Sequence, residues 1–424
     1  MTRRRAIAGA ALALVLAGGA IAAWQLYERR HPPDIHGSAS VEFVPGDLPQ
    51  PRPRPAARLA ALTWPTYGFD DRRLRSAPGI RLRPPFRRLW MFRGRVLLEF
   101  PPAVAHGRLY LPTFDGRFYA LDAATGKPIW RYGSGRCAWA SPALANGVLY
   151  QTFLNRSHTC DAHTNSLGGE LDAFDARTGR VRWRAPLGPS ESSPLVADGL
   201  VFVGDWTGAV RAIDARTGGR RWVFRTGGPV KSSLSLGGGG RRVFVGSYDG
   251  HVYALDARTG RLAWRASGQA RLGGSGSFYS TPAVAYGRVY LGSTDGKVYS
   301  FGALSGKLRW SFGTGGYVYS SPAVWRRLVL VGSYDHSFYA LDAATGALRW
   351  RFAANGPISG SPTVLDGIVY FSTLAERTYA LDARTGRLLW TFPDGKYSPV
   401  VSDGRRLYLV GYTRLYGLVP ASRR

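Results

Sequence analysis

Beyond residue 86, short apolar runs alternate with turn residues along the whole chain. In one representative stretch the runs are Ser233–Leu236, Val243–Ser247, His251–Asp256 and Leu262–Arg265. Apolar runs of this length bounded by Gly and Asp are typical of β-strands, and the Asp249-Gly250 step between the second and third runs is typical of a tight hairpin turn. The pattern therefore predicts four antiparallel strands, A to D, in this stretch.

The same four-strand unit recurs along the chain. Six copies of the motif L-D-A-x-T-G-x-x-x-W or a close variant mark the turn between strands C and D, and a seventh copy, Phe301–Trp310, has Gly302 in place of the aspartate. Trp90 stands 40 residues before Trp130 and shares their phase. The tryptophans in phase are spaced by about 43 residues on average, which is the length of a four-stranded propeller blade, and they are Trp90, Trp130, Trp183, Trp222, Trp264, Trp310, Trp350 and Trp390.

The two ends of the repeat region complement each other. Arg405–Gly411 predicts a strand B and residues 416–418 a strand C, but no strand D follows. Arg87–Phe92 predicts a strand D that has no strands A to C before it. We therefore expect the two ends to share a blade and to close an all-β, eight-bladed propeller over residues 86–418, with a basic tail at 419–424. Closure removes the free sheet edges that favour aggregation.

Residues 6–27 carry no charge and follow three arginines, Arg3 to Arg5. A stretch of this length predicts a transmembrane helix, and the arginines place the N-terminus inside and the propeller outside the membrane. Residues 1–28 would then be a cytoplasmic stub and a membrane anchor. The alternative is a cleaved signal peptide, because Ala20-Ile21-Ala22 is typical of a cleavage site. The protein would then be secreted.

Residues 29–85 are rich in Pro and Arg and show little periodicity. This composition favours extended conformers and predicts a stalk between the anchor and the propeller. Within it, residues 64–71, W-P-T-Y-G-F-D-D, are too aromatic for a spacer, and we expect them to dock on the propeller.

The chain carries a formal net charge of +29, from 56 Lys and Arg against 27 Asp and Glu. A cationic surface favours anionic partners such as lipid headgroups, cell-wall polymers or nucleic acid. Only five of the basic residues are lysines, and arginine fills even turn positions with no evident role. A compositional bias towards arginine therefore explains most of the charge, and we expect no nucleic-acid partner.

The repeated A-x-D-A-x-T-G-x-x-x-W motifs resemble the tryptophan-docking repeats of the pyrroloquinoline quinone (PQQ) propeller superfamily. The resemblance covers about residues 86–418, and residues 64–71 resemble the W-P-x-x-G-x-D segment that precedes such propellers. It implies the eight-bladed fold and a structural role for the repeat tryptophans, which pack between adjacent blades. The superfamily includes quinone-dependent alcohol and sugar dehydrogenases, non-catalytic outer-membrane assembly propellers and sensor-like ectodomains, so it implies no single function.

The alternating strand directions divide the propeller into two faces. The D-to-A connections and the B-to-C turns lie on one face, here called the funnel face, and the A-to-B and C-to-D turns lie on the other, here called the motif face. A proline stands where strand A begins in each unit, with Leu234 in its place in the fourth blade, and we call it the repeat proline. The varied residues three positions before it are expected to surround the mouth of the central channel. They are Glu99, Trp139, Glu191, Lys231, Tyr279, Tyr319, Ser359 and Lys396. Mixed charges beside aromatic rings at an axial opening predict a surface for a ligand or partner.

The only two cysteines, Cys137 and Cys160, belong to the funnel face of blade 2, where residues 155–170 form an insertion. In an extracytoplasmic compartment we expect them to form a disulfide that holds this loop. A zinc site built from Cys160, His158, Asp161 and His163 is the alternative, but the spacing matches no standard ligand pattern. The aspartates of the B-to-C turns are expected to stabilise those turns rather than to bind metal; they are Asp115, Asp205, Asp249, Asp295 and Asp335.

The resemblance implies specific parts for a dehydrogenase, namely adjacent cysteines over the quinone and a calcium ion held by Glu, Asn and Asp. Here the cysteines are 23 residues apart, and Glu99 and Glu191 are the only carboxylates of the inner ring. We therefore predict a monomeric, non-catalytic scaffold with no metal or cofactor, which binds a protein or cell-envelope polymer on its funnel face. The alternatives are a dehydrogenase that uses PQQ and calcium near Lys231 or Lys396, and a sensor-like ectodomain.

Overall fold

The apolar runs of the repeat region form eight β-sheets, each of four principal strands, in the computed structural model of the chain. The structure describes residues 16, 18–47, 63–154, 160, 168–270, 276–398 and 400–421. The first strands of most successive sheets, here called strands A, are neighbours, and that of the last sheet is also a neighbour of that of the first. The sheets are therefore the blades of a closed propeller, as the sequence predicted.

Strands A and B form the inner half of each blade. The A strands are Ala103–Ala105 (β3), Ala143–Ala145 (β7), Leu195–Ala197 (β11), Ser235–Gly237 (β15), Ala283–Ala285 (β19), Ala323–Trp325 (β23), Thr363–Leu365 (β27) and Val400–Ser402 (β31). The B strands are Arg108–Pro112 (β4), Val148–Phe153 (β8), Leu200–Gly204 (β12), Arg242–Gly246 (β16), Arg288–Gly292 (β20), Leu328–Gly332 (β24), Ile368–Thr373 (β28) and Leu407–Val410 (β32).

Strands C and D form the outer half of each blade. The C strands are Arg117–Asp122 (β5), Gly169–Asp175 (β9), Ala209–Asp214 (β13), His251–Asp256 (β17), Lys297–Gly302 (β21), Ser337–Asp342 (β25), Arg377–Asp382 (β29) and Arg414–Pro420 (β33). The D strands are Pro128–Gly133 (β6), Val181–Leu187 (β10), Arg220–Arg225 (β14), Leu262–Ser267 (β18), Leu308–Gly313 (β22), Leu348–Ala353 (β26), Leu388–Phe392 (β30) and Phe86–Arg93 (β2).

Burial decreases from the axis outwards. Strands such as β21 and β25 are buried along their whole length because blades pack on both of their faces, whereas β6 and β26 alternate between exposed and half-buried positions. This explains why the C strands read as continuous apolar runs and the D strands as alternating ones.

The repeat tryptophans join neighbouring blades. The indole Nε1 of Trp310 donates to the backbone oxygen of Ala343 in the next blade (3.0 Å), and the ring covers Gly346 of that blade's motif. Six other tryptophans donate in the same way to the next blade: Trp90, Trp130, Trp183, Trp222, Trp264 and Trp350. Trp390 faces the blade that lacks the motif, and Phe86 packs edge-on against it with ring centroids 5.3 Å apart.

The ring closes through strands from both ends of the chain. β2 pairs antiparallel with β33, with Arg88 opposite Leu418 and Met91 opposite Tyr416. This confirms the predicted closure. β33 ends at Pro420, two residues past the predicted end of the propeller at 418.

Residues 18–30 form a helix, α1, at the N-terminal end of the described chain. The predicted transmembrane segment, residues 6–27, lies partly outside the described residues, since 6–15 and 17 are not among them. Within the part of the chain that the structure covers, no helix combines the length and apolar character needed to cross a bilayer.

The described part of the predicted stalk contacts the propeller instead of extending away from it. Phe43 is buried and stacks on Tyr286, with ring centroids 4.9 Å apart, and Glu42 forms an ion pair with Arg309. Residues 48–62 lie outside the described chain. Other contacts are made by backbone carbonyls, for example those of Ser38, Val41 and Glu42 with Arg288, and contacts of this kind leave no pattern in the sequence.

Residues 64–77 cross the end of the central channel on the side of the motif face. The Trp64 backbone pairs with Val104 of blade 1, the Asp71 carbonyl accepts from Leu236 of blade 4, and the short strand Ser76–Ala77 (β1) pairs parallel with β27 of blade 7. The segment predicted to dock, residues 64–71, is part of this crossing. The channel is therefore a pit that opens on the funnel face.

Candidate functional site

The axial pit lies at the centre of the funnel face. Six of the residues predicted at the channel mouth line it, and they are Glu99, Glu191, Lys231, Tyr279, Tyr319 and Ser359. The cavity volume is about 50 Å³. A cavity of this size holds a few water molecules, whereas pockets for small organic ligands measure roughly 300–1,000 Å³.

Glu191 is buried and already engaged by its neighbours. Its carboxylate accepts a hydrogen bond from Tyr279 Oη (3.0 Å) and forms an ion pair with Lys231 Nζ (3.1 Å). Burial raises the pKa of Glu191, and Lys231 and Tyr279 oppose that effect. Lys231 Nζ also lies 4.2 Å from the centroid of the Trp206 ring, a cation–π contact. These four side chains therefore form one cluster on one wall of the pit.

Glu99 lies half-buried on the wall of the pit with a different protonation state. Burial and the charge of Glu191 raise the pKa of Glu99 to about 8. Two carboxylates in one poorly solvated space cannot both ionise without a large cost, so one keeps its proton near neutral pH. Glu99 is the protonated member, because Lys231 stabilises the charge of Glu191.

The floor of the pit is formed by Tyr67, beneath which Arg75 is buried. The guanidinium of Arg75 lies 4.5 Å from the centroid of the Tyr67 ring, and its Nη1 donates to the carbonyl of Arg73 (2.8 Å). Burial raises the pKa of Tyr67, but the charge of Arg75 and the hydroxyl of Ser361 outweigh it and lower the pKa overall. The pit thus has a positively charged floor and carboxyl groups on its wall.

A belt of hydroxyl groups surrounds the lower part of the pit. In each step a backbone N–H of one blade donates to a Ser or Thr hydroxyl of the next, for example Ser193 N to Ser233 Oγ (2.9 Å) and Thr281 N to Ser321 Oγ (2.9 Å). The belt continues through Ser233 to Thr281 and through Ser321 to Ser361. The belt provides hydrogen-bond acceptors for the backbone N–H groups at the start of the A strands, and it gives the pit a polar wall.

Aromatic side chains surround the pit mouth, and we call them the aromatic arc. They are Trp206, Tyr248 and Tyr334 of the B-to-C turns together with Tyr279 and Tyr319 of the D-to-A connections. Trp206, Tyr248 and Tyr334 occupy the same position in three blades, since each backbone N–H donates to the preceding D-to-A connection. Tyr279, Tyr319 and Tyr334 form consecutive edge-on contacts with centroids 5.2 and 5.1 Å apart. Trp206, Tyr248 and Tyr334 were not predicted from the sequence. The signal was an aromatic residue two positions after the glycine that ends strand B.

Two of the predicted mouth residues do not line the pit. Trp139 stacks on Phe114 with ring centroids 5.3 Å apart, beside the disulfide. Lys396 Nζ lies over the Tyr412 ring at 4.1 Å, and the next residue, Tyr397, lines the pit instead. Counting from the repeat proline therefore located the wall in most blades and missed it in these two.

The predicted disulfide between Cys137 and Cys160 is present. It joins the connection before strand A of blade 2 to the insertion, most of which lies outside the described residues. The residues His158, Asp161 and His163 of the alternative zinc site also lie outside them. Among the residues described, no cluster of three or more His, Cys, Asp or Glu side chains has metal-binding geometry.

The turn aspartates stabilise their own hairpins. Asp205 Oδ1 accepts from the backbone of Thr207, and Asp335 Oδ1 accepts from Ser337 N (2.9 Å). Asp249 and Asp335 also accept hydrogen bonds from the strand C tyrosines Tyr253 and Tyr339. These hydrogen bonds explain why aspartate occurs at the turns, so a bound metal ion is not needed to explain it.

Comparison with known proteins identifies the family. A family model described as outer membrane protein assembly factor BamB matches residues 161–238, 207–323 and 295–421, which together exceed half of the chain. The chain belongs to the PQQ-like β-propeller family. A second model, described as the β-propeller domain of glucose, ethanol and alcohol dehydrogenases, matches residues 91–184.

The similar curated proteins are dehydrogenases, matched over short stretches. Quinoprotein glucose dehydrogenase of Escherichia coli is 29% identical over 141 residues, and the match covers 30% of this chain and 16% of that protein. The glycerol dehydrogenase large subunit of Gluconobacter oxydans is 29% identical over 163 residues, covering 32% and 21%. The matched stretches thus span about a fifth or less of these relatives.

Solved structures of an assembly factor and of dehydrogenases share the fold. BamB from Moraxella catarrhalis superimposes with a TM-score of 0.63 at 18% identity, covering 80% of this chain and 99% of that chain. Quinohemoprotein alcohol dehydrogenase from Comamonas testosteroni gives 0.68 at 16% identity, covering 85% and 81%. These likenesses show the propeller fold and single out neither function.

Proposed function

We propose that this chain is a non-catalytic, membrane-anchored propeller that binds a protein or a cell-envelope polymer on its funnel face. The observation that carries the proposal is the combination of a narrow pit, in which Glu191 is already engaged by Lys231 and Tyr279, with a broad aromatic arc around it. Tyr317, beside the arc, is 54% exposed, and Tyr412 is also exposed. Exposed aromatic side chains with polar neighbours are typical of protein-binding surfaces.

The residues of the pit do not fit PQQ and calcium. A tricyclic quinone needs several times the volume of about 50 Å³ that the pit offers. Calcium takes six to eight oxygen ligands, mostly from ionised carboxylates and carbonyls. Of the two glutamates, Glu191 is held by Lys231 and Tyr279, and burial favours the protonated form of Glu99. We therefore derive no redox step at this site.

The remainder of the proposal concerns location. Residues 6–27 act as the anchor, with the N-terminus inside and the propeller outside the membrane, and the chain is a monomer. The match to the family model described as outer membrane protein assembly factor BamB supports a binding role, since that description names an assembly factor and not an oxidoreductase. The disulfide supports an oxidising, extracytoplasmic compartment.

A photo-crosslinking experiment on the full chain in native membranes tests the binding role. A benzophenone amino acid is placed at Tyr317 on the funnel face and, as a matched control, at Leu304 on the motif face of the same blade, which is 66% exposed. We expect one crosslinked partner from position 317 and none from position 304. The crosslink should fall at least fivefold when Tyr319 and Tyr334 are both changed to Ala.

Two results would overturn the proposal. The first is equal crosslinking from both faces, which would mean that the arc recognises nothing. The second is uptake of one PQQ per chain in the presence of calcium, with dye-linked oxidation of an alcohol or sugar. That result would favour the dehydrogenase alternative instead.

A further inference from the structure

α1 presents an uncovered apolar surface. Every described residue of the helix is exposed, including Ile21, Trp24, Leu26 and Tyr27. An apolar surface of this kind is not stable in water unless something covers it. The helix ends with Glu28, Arg29 and Arg30, and His31 follows it. Apolar and aromatic residues followed by a basic cluster are typical of a helix that leaves a membrane at the level of the lipid headgroups.

The chain is fixed to the propeller directly after this helix. Lys297 Nζ donates to the carbonyl of Pro32 (2.5 Å) and forms an ion pair with Asp34 (3.1 Å), and Gln269 Nε2 donates to the carbonyl of Pro33 (2.8 Å). Lys297 is buried and also donates to Gln269 Oε1 (2.8 Å). Only His31 separates α1 from these contacts, so the helix leaves the propeller at a defined point.

That point belongs to the funnel face. Lys297 is the first residue of β21 and directly follows a B-to-C turn, and Gln269 lies in the D-to-A connection after β18. Further along, Ile35 pairs with Ser311 of β22, and Gly37 N donates to Thr345 O in a C-to-D turn (2.9 Å). The chain therefore enters at the funnel face, follows the outer edge of blade 5 and reaches the motif face.

These contacts decide which face of the propeller is near the membrane. From Tyr27 to Pro32 the chain spans at most roughly 17 Å, because an extended residue covers no more than about 3.5 Å. The C strands separate the two faces by about 20 Å, at roughly 3.3 Å for each of six residues. The rim of the funnel face at blade 5 therefore lies close to any membrane that holds α1, and the motif face lies farther away.

The exposed charges of the funnel face suit an anionic surface. Its exposed arginines, among the residues that the structure describes, include Arg93, Arg95, Arg117, Arg225, Arg377 and Arg414. Among the described residues of this face, Glu376 is the one fully exposed carboxylate. The motif face is also basic, for example at Arg180 and Arg258, so charge alone would not choose between the faces. The attachment at Lys297 makes that choice.

We propose that the funnel face of the propeller is held against the membrane, with its basic rim on the headgroups of anionic lipids. This inference rests on the proposed membrane anchor and extends it. The pit and the aromatic arc then face the bilayer, and any partner recognised there is approached at the membrane surface. The lipid headgroups are the occupant of the rim, and the tether at Pro32 to Asp34 orients the propeller on them.

Depth-dependent quenching in nanodiscs tests this orientation. Because the two native cysteines are joined, a single introduced cysteine is a unique labelling site. The full chain carries a bimane label at Tyr317→Cys on the funnel face or at Leu304→Cys on the motif face. The discs contain phosphatidylcholine with a nitroxide headgroup, with or without phosphatidylglycerol. We expect at least threefold stronger quenching at position 317 in the anionic discs, and a clear loss of this difference at high salt.

The variants Lys297→Met and Asp34→Asn test the tether. Both remove contacts that fix the chain after α1 and leave the helix unchanged. We expect quenching at position 317 to fall at least twofold in both variants, with incorporation into discs and the circular dichroism spectrum preserved. Unchanged quenching in both variants would contradict the tether.

The remaining outcomes are also decisive. Equal or stronger quenching at position 304 would overturn the orientation, and equal quenching at 317 in neutral discs would show that anionic headgroups are not the ligand. Failure of the full chain to enter discs or to float with vesicles would overturn the proposed anchor together with this inference. Incorporation without preferential quenching would overturn the orientation alone.

Discussion

At the scale of single residues, the two glutamates of the pit share one environment but differ in how strongly their charged forms are stabilised. Lys231 and Tyr279 contact Glu191 and stabilise its charged form, while Glu99 has no such cation beside it among its described contacts. The pKa of Glu99 is therefore raised to about 8 by burial and by Glu191. This difference has a measurable consequence for stability.

We predict that Glu99→Gln changes the pH dependence of the free energy of unfolding. In the folded chain Glu99 binds its proton up to a pH of about 8, whereas in the unfolded chain it loses it near 4.5. The folded state thus holds the extra proton between these values, and stability falls as the pH rises through this window. Below it the group has no effect, and above it the loss is complete. Glutamine cannot ionise, so the variant should lack this loss.

Urea unfolding between pH 4 and 9 measures this effect. We expect Glu99→Gln to gain about 2 kcal/mol relative to the wild type across the window, after allowance for partial solvent contact. Glu376→Gln, at an exposed carboxylate of the same face, is the control and should leave the profile unchanged. Parallel profiles of wild type and Glu99→Gln would contradict the assignment.

At the scale of elements, one contact recurs between neighbouring blades, that of a repeat tryptophan with the motif glycine of the next blade. Gly346 has a φ of +76°, and a Cβ there would lie 2.8 Å from the Trp310 ring. Both facts require glycine: the left-handed backbone disfavours other residues, and the ring leaves no room for a side chain. A substitution at this position should therefore lower the free energy of unfolding for two reasons, backbone strain and the clash with the ring.

Comparison with a second glycine separates these two costs. Gly107 has a similar φ of +72°, but a Cβ there meets nothing within 4 Å. We predict that Gly107→Ala lowers the free energy of unfolding by about 1 kcal/mol, from backbone strain alone. Gly346→Ala should lower it by about 3 kcal/mol, because the ring must also move. Equal losses in urea unfolding would mean that the tryptophan contact contributes nothing.

The disulfide is a second element whose contribution can be measured. It closes a loop over a sequence separation of 23 and lies in a small cluster with Leu154, Phe114 and Trp139. We predict that changing both cysteines to serine lowers the free energy of unfolding by about 3 kcal/mol, mainly through the entropy of the unfolded chain. Reduction of the wild type should reproduce this value. A double variant as stable as the oxidised wild type would refute it.

Most elements could be predicted from sequence because they repeat. Strand C of blade 4 begins and ends at the predicted residues, His251 and Asp256, whereas strand A begins at Ser235 rather than Ser233. The reason is that the Ser233 backbone donates to Thr281 of the next blade and not to its own sheet. A contact between blades of this kind leaves no local pattern.

The candidate site was predicted only in part, for the same reason. The position before the repeat proline identified Glu99 and Glu191, but the floor, Tyr67 and Arg75, comes from a segment outside the repeats. Its contacts to seven blades are made largely by backbone groups. Composition could suggest that the segment docks, but not that it closes one end of the channel.

At the scale of the whole molecule, closure of the ring depends on a single pairing between distant parts of the chain. β2 and β33 are separated by the whole propeller in sequence, and the Trp90 ring of β2 lies directly against Gly417 of β33. Without β33, one blade loses its third strand, and both β2 and β32 become open sheet edges. Open edges are templates for pairing with another chain.

We therefore predict that a chain ending at Thr413, which lacks β33, forms oligomers and loses its single cooperative unfolding transition. Size-exclusion chromatography with light scattering and urea unfolding provide the measurements. A chain ending at Pro420, the last residue of β33, is the control and should behave as the full chain does. A synthetic peptide of residues 414–421 should restore the monomer, because it can re-form the missing ladder between β32 and β2. Rescue by the peptide separates ring closure from a general loss of stability, and a truncated chain that stays monomeric with an unchanged midpoint would show that the ring does not depend on this strand.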